Sequence, residues 1–399
     1  MGLLNTQKVY SKLVPGRGAA SEAGGVRARK YLALYLHIPI CQKRCLYCDF
    51  VSFVKDDFKL QDYVTALIEE IHRYKQLNNY FEVVSVYIGG GTPSLLSIEQ
   101  LTQIITAIKS TFTINKNIEF TMEINPQTVN LVYLKQMKAL GINRLSIGVQ
   151  SFQDKFLQKL GRIHDSKQAL DTISNANLAG FSNVSIDLIF GISEQNLQDI
   201  KKEIEQIKAL NIQHISWYNL IVEDHTPLSK LCATKTDYQI LEDDLLAQMY
   251  YYIQAELKQI GFIQYETSNY AKENYSSLHN QAYWQHQNYL GLGLGAVSFF
   301  RPIRNQNASN FSDYLAGKKA LEKLNKQELK FETIFLALRT KTGLDITKYN
   351  QFYKADFMKD YSKEINKLLA KNLIKIENNH LTINSQYEFV ANSIVGEFC

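Results

Sequence analysis

Between residues 31 and 265, short apolar runs rich in β-branched and aromatic residues alternate with longer stretches of helical period. This alternation limits the fold more than any other feature of the chain. Strands are predicted over residues 32–37, 83–88, 118–123, 144–149, 184–189 and 215–220. Helices are predicted between them, over 57–76, 97–110, 128–140, 166–179 and 193–210, with another over 238–260. Gly141 and Gly180 stand where two of these helices should stop. Strand and helix in strict succession imply parallel pairing with helical crossovers. Six units are too few to close an eight-stranded barrel. The expected fold class is therefore α/β, a partial (β/α)6 barrel.

Polar residues recur where these strands end, and in such folds chemistry gathers at that rim. The first strand runs into Cys41, Cys45 and Cys48, spaced CxxxCxxC, and the second into Gly89-Gly-Gly-Thr-Pro93. Glu123 ends the third, with Asn125-Pro126 beyond it, and Gln150-Ser151 follows the fourth. Asp187 lies on the fifth, and Tyr218-Asn219 closes the sixth. Three thiols leave a fourth metal position to be filled. Zinc would take another protein ligand there, with His37 the nearest candidate. A 4Fe-4S cube would keep one iron open to a small molecule.

The glycine run lacks the Lys-Ser/Thr pair of a P-loop, which excludes that kind of phosphate cradle. Its glycines let backbone approach a ligand closely, and carbonyls there would accept hydrogen bonds from an ammonium group. Arg162, in Gly161-Arg-Ile-His164, has the forked geometry to hold a carboxylate. Asp187 has acceptors suited to ribose hydroxyls, or to buried amides.

The chain has 399 residues, 45% hydrophobic and 12% aromatic, enough for a main domain and a smaller one. Its net charge of +5 is spread along the sequence, which gives no reason to expect nucleic acid or an anionic membrane as partner. No run approaches the roughly 18 apolar residues of a bilayer span. Three of the five cysteines are clustered and Cys232 and Cys399 are isolated, a pattern that suits a reducing cytoplasm better than a disulfide framework. Residues 1–30, with Pro15-Gly-Arg-Gly and Gly24-Gly-Val-Arg, read as a disordered extension without a signal peptide. Domains are expected at 31–265 (barrel), 266–311 (connecting region) and 312–399 (accessory). From Ser312 the chain reads as Lys-rich helices followed by a hairpin over 373–383, a winged-helix-like α+β arrangement without a strongly basic recognition helix.

The cysteine spacing resembles that of the radical S-adenosylmethionine (SAM) superfamily. Tyr35-Leu-His-Ile-Pro-Ile-Cys41, Gly89-Gly-Gly-Thr-Pro93, Glu123-Ile-Asn-Pro126, Ser146-Ile-Gly-Val-Gln-Ser-Phe152 and Ile186-Asp-Leu-Ile-Phe-Gly191 together resemble the oxygen-independent coproporphyrinogen III oxidase family, from about residue 31 onward. The resemblance implies Cys41, Cys45 and Cys48 as ligands of a 4Fe-4S cluster, with Tyr35, Gly90, Gly91, Thr92, Glu123, Gln150, Arg162 and Asp187 around SAM. The decarboxylating oxidases carry a further cysteine two positions after the third, where this chain has Phe50. His279-Asn-Gln-Ala-Tyr-Trp284 resembles the HNxxYW motif of the haem chaperone (HemW) branch, although Leu46 departs from its usual proline. That branch implies haem as cargo, with His279 as axial-ligand candidate, haem-accepting proteins as partners, and room for a homodimer and peripheral membrane contact. The other branch implies a radical enzyme acting on coproporphyrinogen III. Tyr289 to Ser298 imitates a GxGxxA dinucleotide fingerprint, but with no β-rich run before it, it is expected to be a close-packed turn.

Overall fold

The computed structural model describes residues 29–234 and 238–399. The predicted extension, apart from Arg29 and Lys30, lies outside the described residues. The strands of the main sheets, in chain order, are β1 Lys30–Ile38, β2 Phe81–Gly90, β3 Ile114–Ile124, β4 Arg144–Gln150, β5 Val184–Phe190 and β6 His214–Asn219. They continue as β7 Ile263–Glu266, β8 Asn269–Ala271, β9 Tyr289–Leu292, β10 Val297–Phe300, β11 Ile303–Asn307 and β12 Lys319–Lys323. A small three-stranded sheet adds β13 Leu344–Asp345, β14 Ile374–Glu377 and β15 His380–Ile383. The helices used below are α1 Leu60–Arg73, α2 Ile98–Thr111, α3 Leu131–Ala139, α4 Asp154–Lys159, α5 Ser166–Leu178, α6 Leu197–Lys208, α7 Asp243–Gln259, α8 Leu278–Trp284 and α9 Lys326–Leu338. All six predicted barrel strands are present, each followed by helix, so the α/β class holds.

The described residues divide into two compact units. The first runs to Gly148 and adds Ser174–Ser182 and Gln287–Lys323. Its strands lie in the order β12-β11-β10-β9-β1-β2-β3-β4, with β9 to β4 parallel and β10 to β12 antiparallel. Strand β1 sits inside this sheet, and Leu32, Ala33, Leu34, Leu36 and Ile38 are all buried. Such near-continuous apolar burial is what a parallel strand covered on both faces requires. Helix α1 buries Tyr63, Val64, Leu67, Glu70 and Ile71 on one face. Ser97 and Gln100 form a capping box that starts α2. Gly141, with φ +102°, takes the left-handed turn just past α3.

Glu70 stands out on the apolar face of α1, with only 3% of its surface exposed. Its carboxylate accepts from Gly293 N (2.8 Å), Asn307 Nδ2 (2.9 Å), the Tyr314 hydroxyl (2.9 Å) and Lys319 Nζ (3.2 Å). One side chain thus ties the turn after β9, β11 and β12 to α1. Here two expectations fail. Tyr289–Leu292 is itself a strand, paired in parallel with β1, and the close-packed turn begins only at Gly293. Residues after Ser312 are not all helix, since Lys319–Lys323 pairs with Ile303–Asn307 as an edge strand.

The second unit takes Val149–Ile173, Asn183–His286 and Leu324–Cys399. In it β5 and β6 are parallel, and β8 and β7 extend that sheet antiparallel in the order β5-β6-β8-β7. Its C-terminal part packs helices around the antiparallel sheet β13-β15-β14, the winged-helix-like α+β arrangement expected.

Candidate functional site

The cysteine loop is closed at its base. After β1, Ile40 and Cys41 pair in parallel with Phe53 and Val54, and Phe53 N donates to Pro39 O at 2.7 Å. Within the loop Cys48 N donates to Cys45 O at 3.3 Å, folding the last two thiols back. Cys41 is buried, while Cys45 and Cys48 are half-buried. Burial pushes the Cys48 thiol up; the Phe50 amide partly offsets this, and negative charge on Cys45 and Cys41 adds to it. A bound cation reverses this balance at Cys48. Among the described residues no group of three or more His, Cys, Asp or Glu is placed to hold a metal ion. A 4Fe-4S cube suits a more open set, because it presents a separate iron to each of three sulfurs. The residues fit such a cluster.

His37, the alternative zinc ligand, is committed elsewhere. Its Nε2 lies 2.7 Å from Val51 O, which only accepts, so Nε2 carries the proton. Burial lowers the pKa of the ring, leaving Nδ1 as an acceptor for the Tyr35 hydroxyl at 2.9 Å. Tyr35 and His37 therefore act as a strut under the far end of the cysteine loop. Tyr35 acts through His37, and residue pattern alone gave no sign of either role.

The glycine run meets this loop closely. Gly91 N donates to Ile38 O at 2.9 Å. A Cβ on Gly91 would stand 2.5 Å from Ile40 O and 3.0 Å from Cys41 Sγ, and one on Gly90, with φ +114°, 2.7 Å from the His37 ring. Glycine is here a matter of space as well as of conformation. Thr92 Oγ1 lies 3.6 Å from Cys41 Sγ and accepts from Asn125 Nδ2 at 2.9 Å. Glu123 is oriented by the Tyr87 hydroxyl (2.8 Å) and by Gly90 N (3.0 Å). The first unit thus brings together Tyr35, Cys41, Cys45, Cys48, Gly90, Gly91, Thr92 and Glu123. Tyr87, one pleat before the glycines, is an addition the sequence did not single out.

Gln150, Arg162 and Asp187 belong to the second unit. Gln150 ends β4 in the left-handed region, with φ +67°. Directly after it the Glu203 carboxylate of α6 accepts from the Ser151 hydroxyl (2.5 Å), Phe152 N (2.9 Å) and Gln153 Nε2 (2.9 Å), which fixes the turn. Arg162 follows Gly161, whose φ is +72°, and is half-buried. Asp187, half-buried on β5, stands in register with Ser216 of β6.

His164, two residues on, is buried with Nε2 3.1 Å from Val149 O. Burial first, and then the neighbouring Arg162 charge, bring its pKa down to about 4. A folded pKa below the unfolded value means that this group's stability is complete above about pH 6.5 and is lost as the pH falls. Between pH 6.5 and 5 the loss is expected to be about 2 kcal/mol. Urea unfolding of wild type and His164→Gln at both pH values checks this; the same pH dependence in both proteins would refute it.

In α8, started by Ser277, whose hydroxyl accepts from Asn280 N, His279 is only 1% exposed. Its Nε2 is 2.9 Å from the Tyr283 hydroxyl, with the rings edge to face. An external iron would reach Nε2 of this ring only after that contact opens. Trp284, the last residue of the motif, lies under the Arg339 guanidinium at 5.9 Å.

The chain matches the Radical SAM superfamily over residues 35–207 and the HemN C-terminal domain over residues 324–386. It is 32% identical to the heme chaperone HemW of Lactococcus lactis, over 91% of this chain and 96% of that protein. To the heme chaperone HemW of Bacillus subtilis it is 31% identical, over 91% and 98%. Among solved structures, coproporphyrinogen III oxidase (HemN) from Escherichia coli, described as a radical SAM enzyme, superposes with a TM-score of 0.80 at 22% identity, over 93% of this chain and 90% of that one. That likeness shows the fold, a partial radical SAM barrel with a small C-terminal α+β domain. No helix among the described residues is long and apolar enough to cross a membrane. Matched by both family models and by these relatives over 91% of its residues, the chain belongs to the HemN/HemW family of the radical SAM superfamily.

Proposed function

We propose that this chain is a cytoplasmic haem chaperone that carries a 4Fe-4S cluster and SAM, binds haem as cargo and passes it to haem-dependent proteins. The observation that carries the reading is the cysteine loop: three thiols on a loop closed at its base, with Phe50, 63% exposed, where the decarboxylating oxidases have another cysteine. Cys41, Cys45 and Cys48 hold the cluster. Bound there, the cluster supplies an iron with an open position and an electron donor. Gly90, Gly91 and Thr92 line the methionine end of SAM, Glu123 is held in place by Tyr87, and Arg162 and Asp187 supply a carboxylate partner and ribose acceptors. Gln150 presents its side chain from a strained strand end. His279 is the haem-ligand candidate, released when the Tyr283 hydroxyl moves away. The HemW relatives, matched along nearly their full length, support this reading.

The second reading is a radical oxidase acting on coproporphyrinogen III, favoured by the intact cluster loop. One experiment separates them: anaerobic reconstitution, then haem titration of wild type and His279→Ala, with coproporphyrinogen decarboxylation assayed in the same preparations. Haem binding weakened about tenfold or more by the substitution, without decarboxylation, is the expected result. Decarboxylation without stable haem binding would return the chain to the oxidases.

A further inference from the structure

Within the second unit a cavity of 470 Å³ opens among the end of β7, the end of α9 and the small C-terminal sheet. It shares no residue with the cysteine loop or the glycine run, and none of the roles assigned above uses it. Its charged lining is mostly self-paired. Lys341 bonds to Glu388, Lys375 to Glu377 at 3.1 Å, and His380 stands 3.9 Å from Asp345. Arg339 is different. Its guanidinium carbon lies over the Phe335 ring, 5.0 Å from the centroid, and 5.9 Å from the centroid of Trp284. Its Nε is buried without a hydrogen-bond partner. Cation–π contacts of this kind hold the charge over the rings but do not satisfy the N–H donors, which are left to be matched by something else.

The acid whose charge acts on it cannot fully match it. Glu266 is 1% exposed and its carboxyl bonds to Asn269 Nδ2. Burial pushes Glu266 up to about 7, against the pull of its hydrogen bonds and of Arg339, so the carboxyl is partly neutral at neutral pH. Burial also draws the Arg339 guanidinium down, the sign of a cation held away from water. A planar carboxylate, whose two oxygens can accept from paired N–H donors, answers this geometry.

We propose that this cavity is a carboxylate-binding site in which Arg339 receives one carboxylate group of a small organic ligand through paired N–H donors. Two sources share that chemistry: a propionate of haem, or a free organic acid. The haem form rests on the haem-chaperone reading above, and the free-acid form does not. Wild type, Arg339→Gln and Arg339→Lys are titrated calorimetrically with haem, with haem dimethyl ester and with glutarate, after circular dichroism has confirmed that each variant is folded. A charge-assisted paired contact predicts at least about tenfold weaker binding of the cognate ligand to Arg339→Gln. Arg339→Lys, which keeps the charge but loses the fork, should fall between. Haem weakened by the substitution, with its diester weak on all three proteins, assigns the site to a propionate. Glutarate binding wild type and lost in Arg339→Gln assigns it to a free acid. Haem and its diester binding all three proteins alike, with no glutarate binding, overturns the proposal while leaving the haem-chaperone reading standing. If no protein binds haem, that reading falls, and the glutarate result alone decides the site.

Discussion

Glu70→Ala is expected to lower the free energy of unfolding by about 3–5 kcal/mol, the cost of removing one partner from a buried charged cluster. Glu70 accepts four hydrogen bonds, from Gly293 N, Asn307 Nδ2, Tyr314 and Lys319. Alanine would leave all four donors without that acceptor, and the Lys319 charge only a contact with the Tyr74 hydroxyl at 2.8 Å. Each unmatched buried donor costs about 1–3 kcal/mol before relaxation, so partial rearrangement is already allowed for in the figure. Glu70→Gln keeps the volume but turns an amide N–H₂ toward donors, and should fall between. The consequence reaches the site. Tyr63 donates to His37 O at 2.5 Å and accepts from Leu294 N at 3.3 Å, beside the turn that Glu70 holds. A Cβ on Gly293 would lie 2.3 Å from the Tyr63 hydroxyl and 2.7 Å from His37 O. Loosening this turn frees the strut that braces the cysteine loop, so iron retained after anaerobic reconstitution should fall along with stability. Urea unfolding and iron analysis of the two variants check both effects. A stability loss under about 1 kcal/mol for Glu70→Ala would mean that the cluster is solvated and not the buried tie described.

How much of this was legible follows from the range of each interaction. The six barrel strands were readable because covered parallel strands show as apolar runs; β1 alone buries Leu32, Ala33, Leu34, Leu36 and Ile38. Strand β9 escaped notice because its pattern, Tyr-Leu-Gly-Leu, imitates a turn. Gly291 is there because a Cβ would come within 2.1 Å of Val297 O, a contact that no local reading contains. Edge strand β12 and its neighbour β11 carry polar and charged residues, Arg304 paired with Glu322 among them, and so lack the apolar signal. In the site, the thiols, the glycines and Glu123 carry their chemistry in their residue type. His37, Tyr87 and Tyr63 do not: each works through a hydrogen bond to a group distant in sequence, and an ordinary buried histidine or tyrosine looks the same in the chain.

The glycine run gives the sharpest test of whether the cysteine loop is a preorganised metal site. Gly91→Ala is expected to weaken cluster retention by about 10–100-fold, the range for a change that displaces a ligand without removing it. The argument is purely one of space, since the strain attached to a positive φ does not arise at Gly91. The new methyl would stand 2.5 Å from Ile40 O and 3.0 Å from Cys41 Sγ, and backbone cannot swing aside as a long side chain does. Either Cys41 moves or β2 does, and both positions are fixed by Gly91 N to Ile38 O at 2.9 Å and by the Ile40–Phe53 pairing. Overpacking of this kind costs about 1–3 kcal/mol, small enough for the chain to remain folded. Gly396→Ala is the control, because its Cβ would meet nothing within 4 Å. Iron and sulfide are measured after anaerobic reconstitution and gel filtration, with far-ultraviolet circular dichroism as the check on folding. Full iron content in a folded Gly91→Ala protein would show that the loop adapts to its metal instead of being set by β1 and β2, and the glycines would then have to be explained by what binds above them.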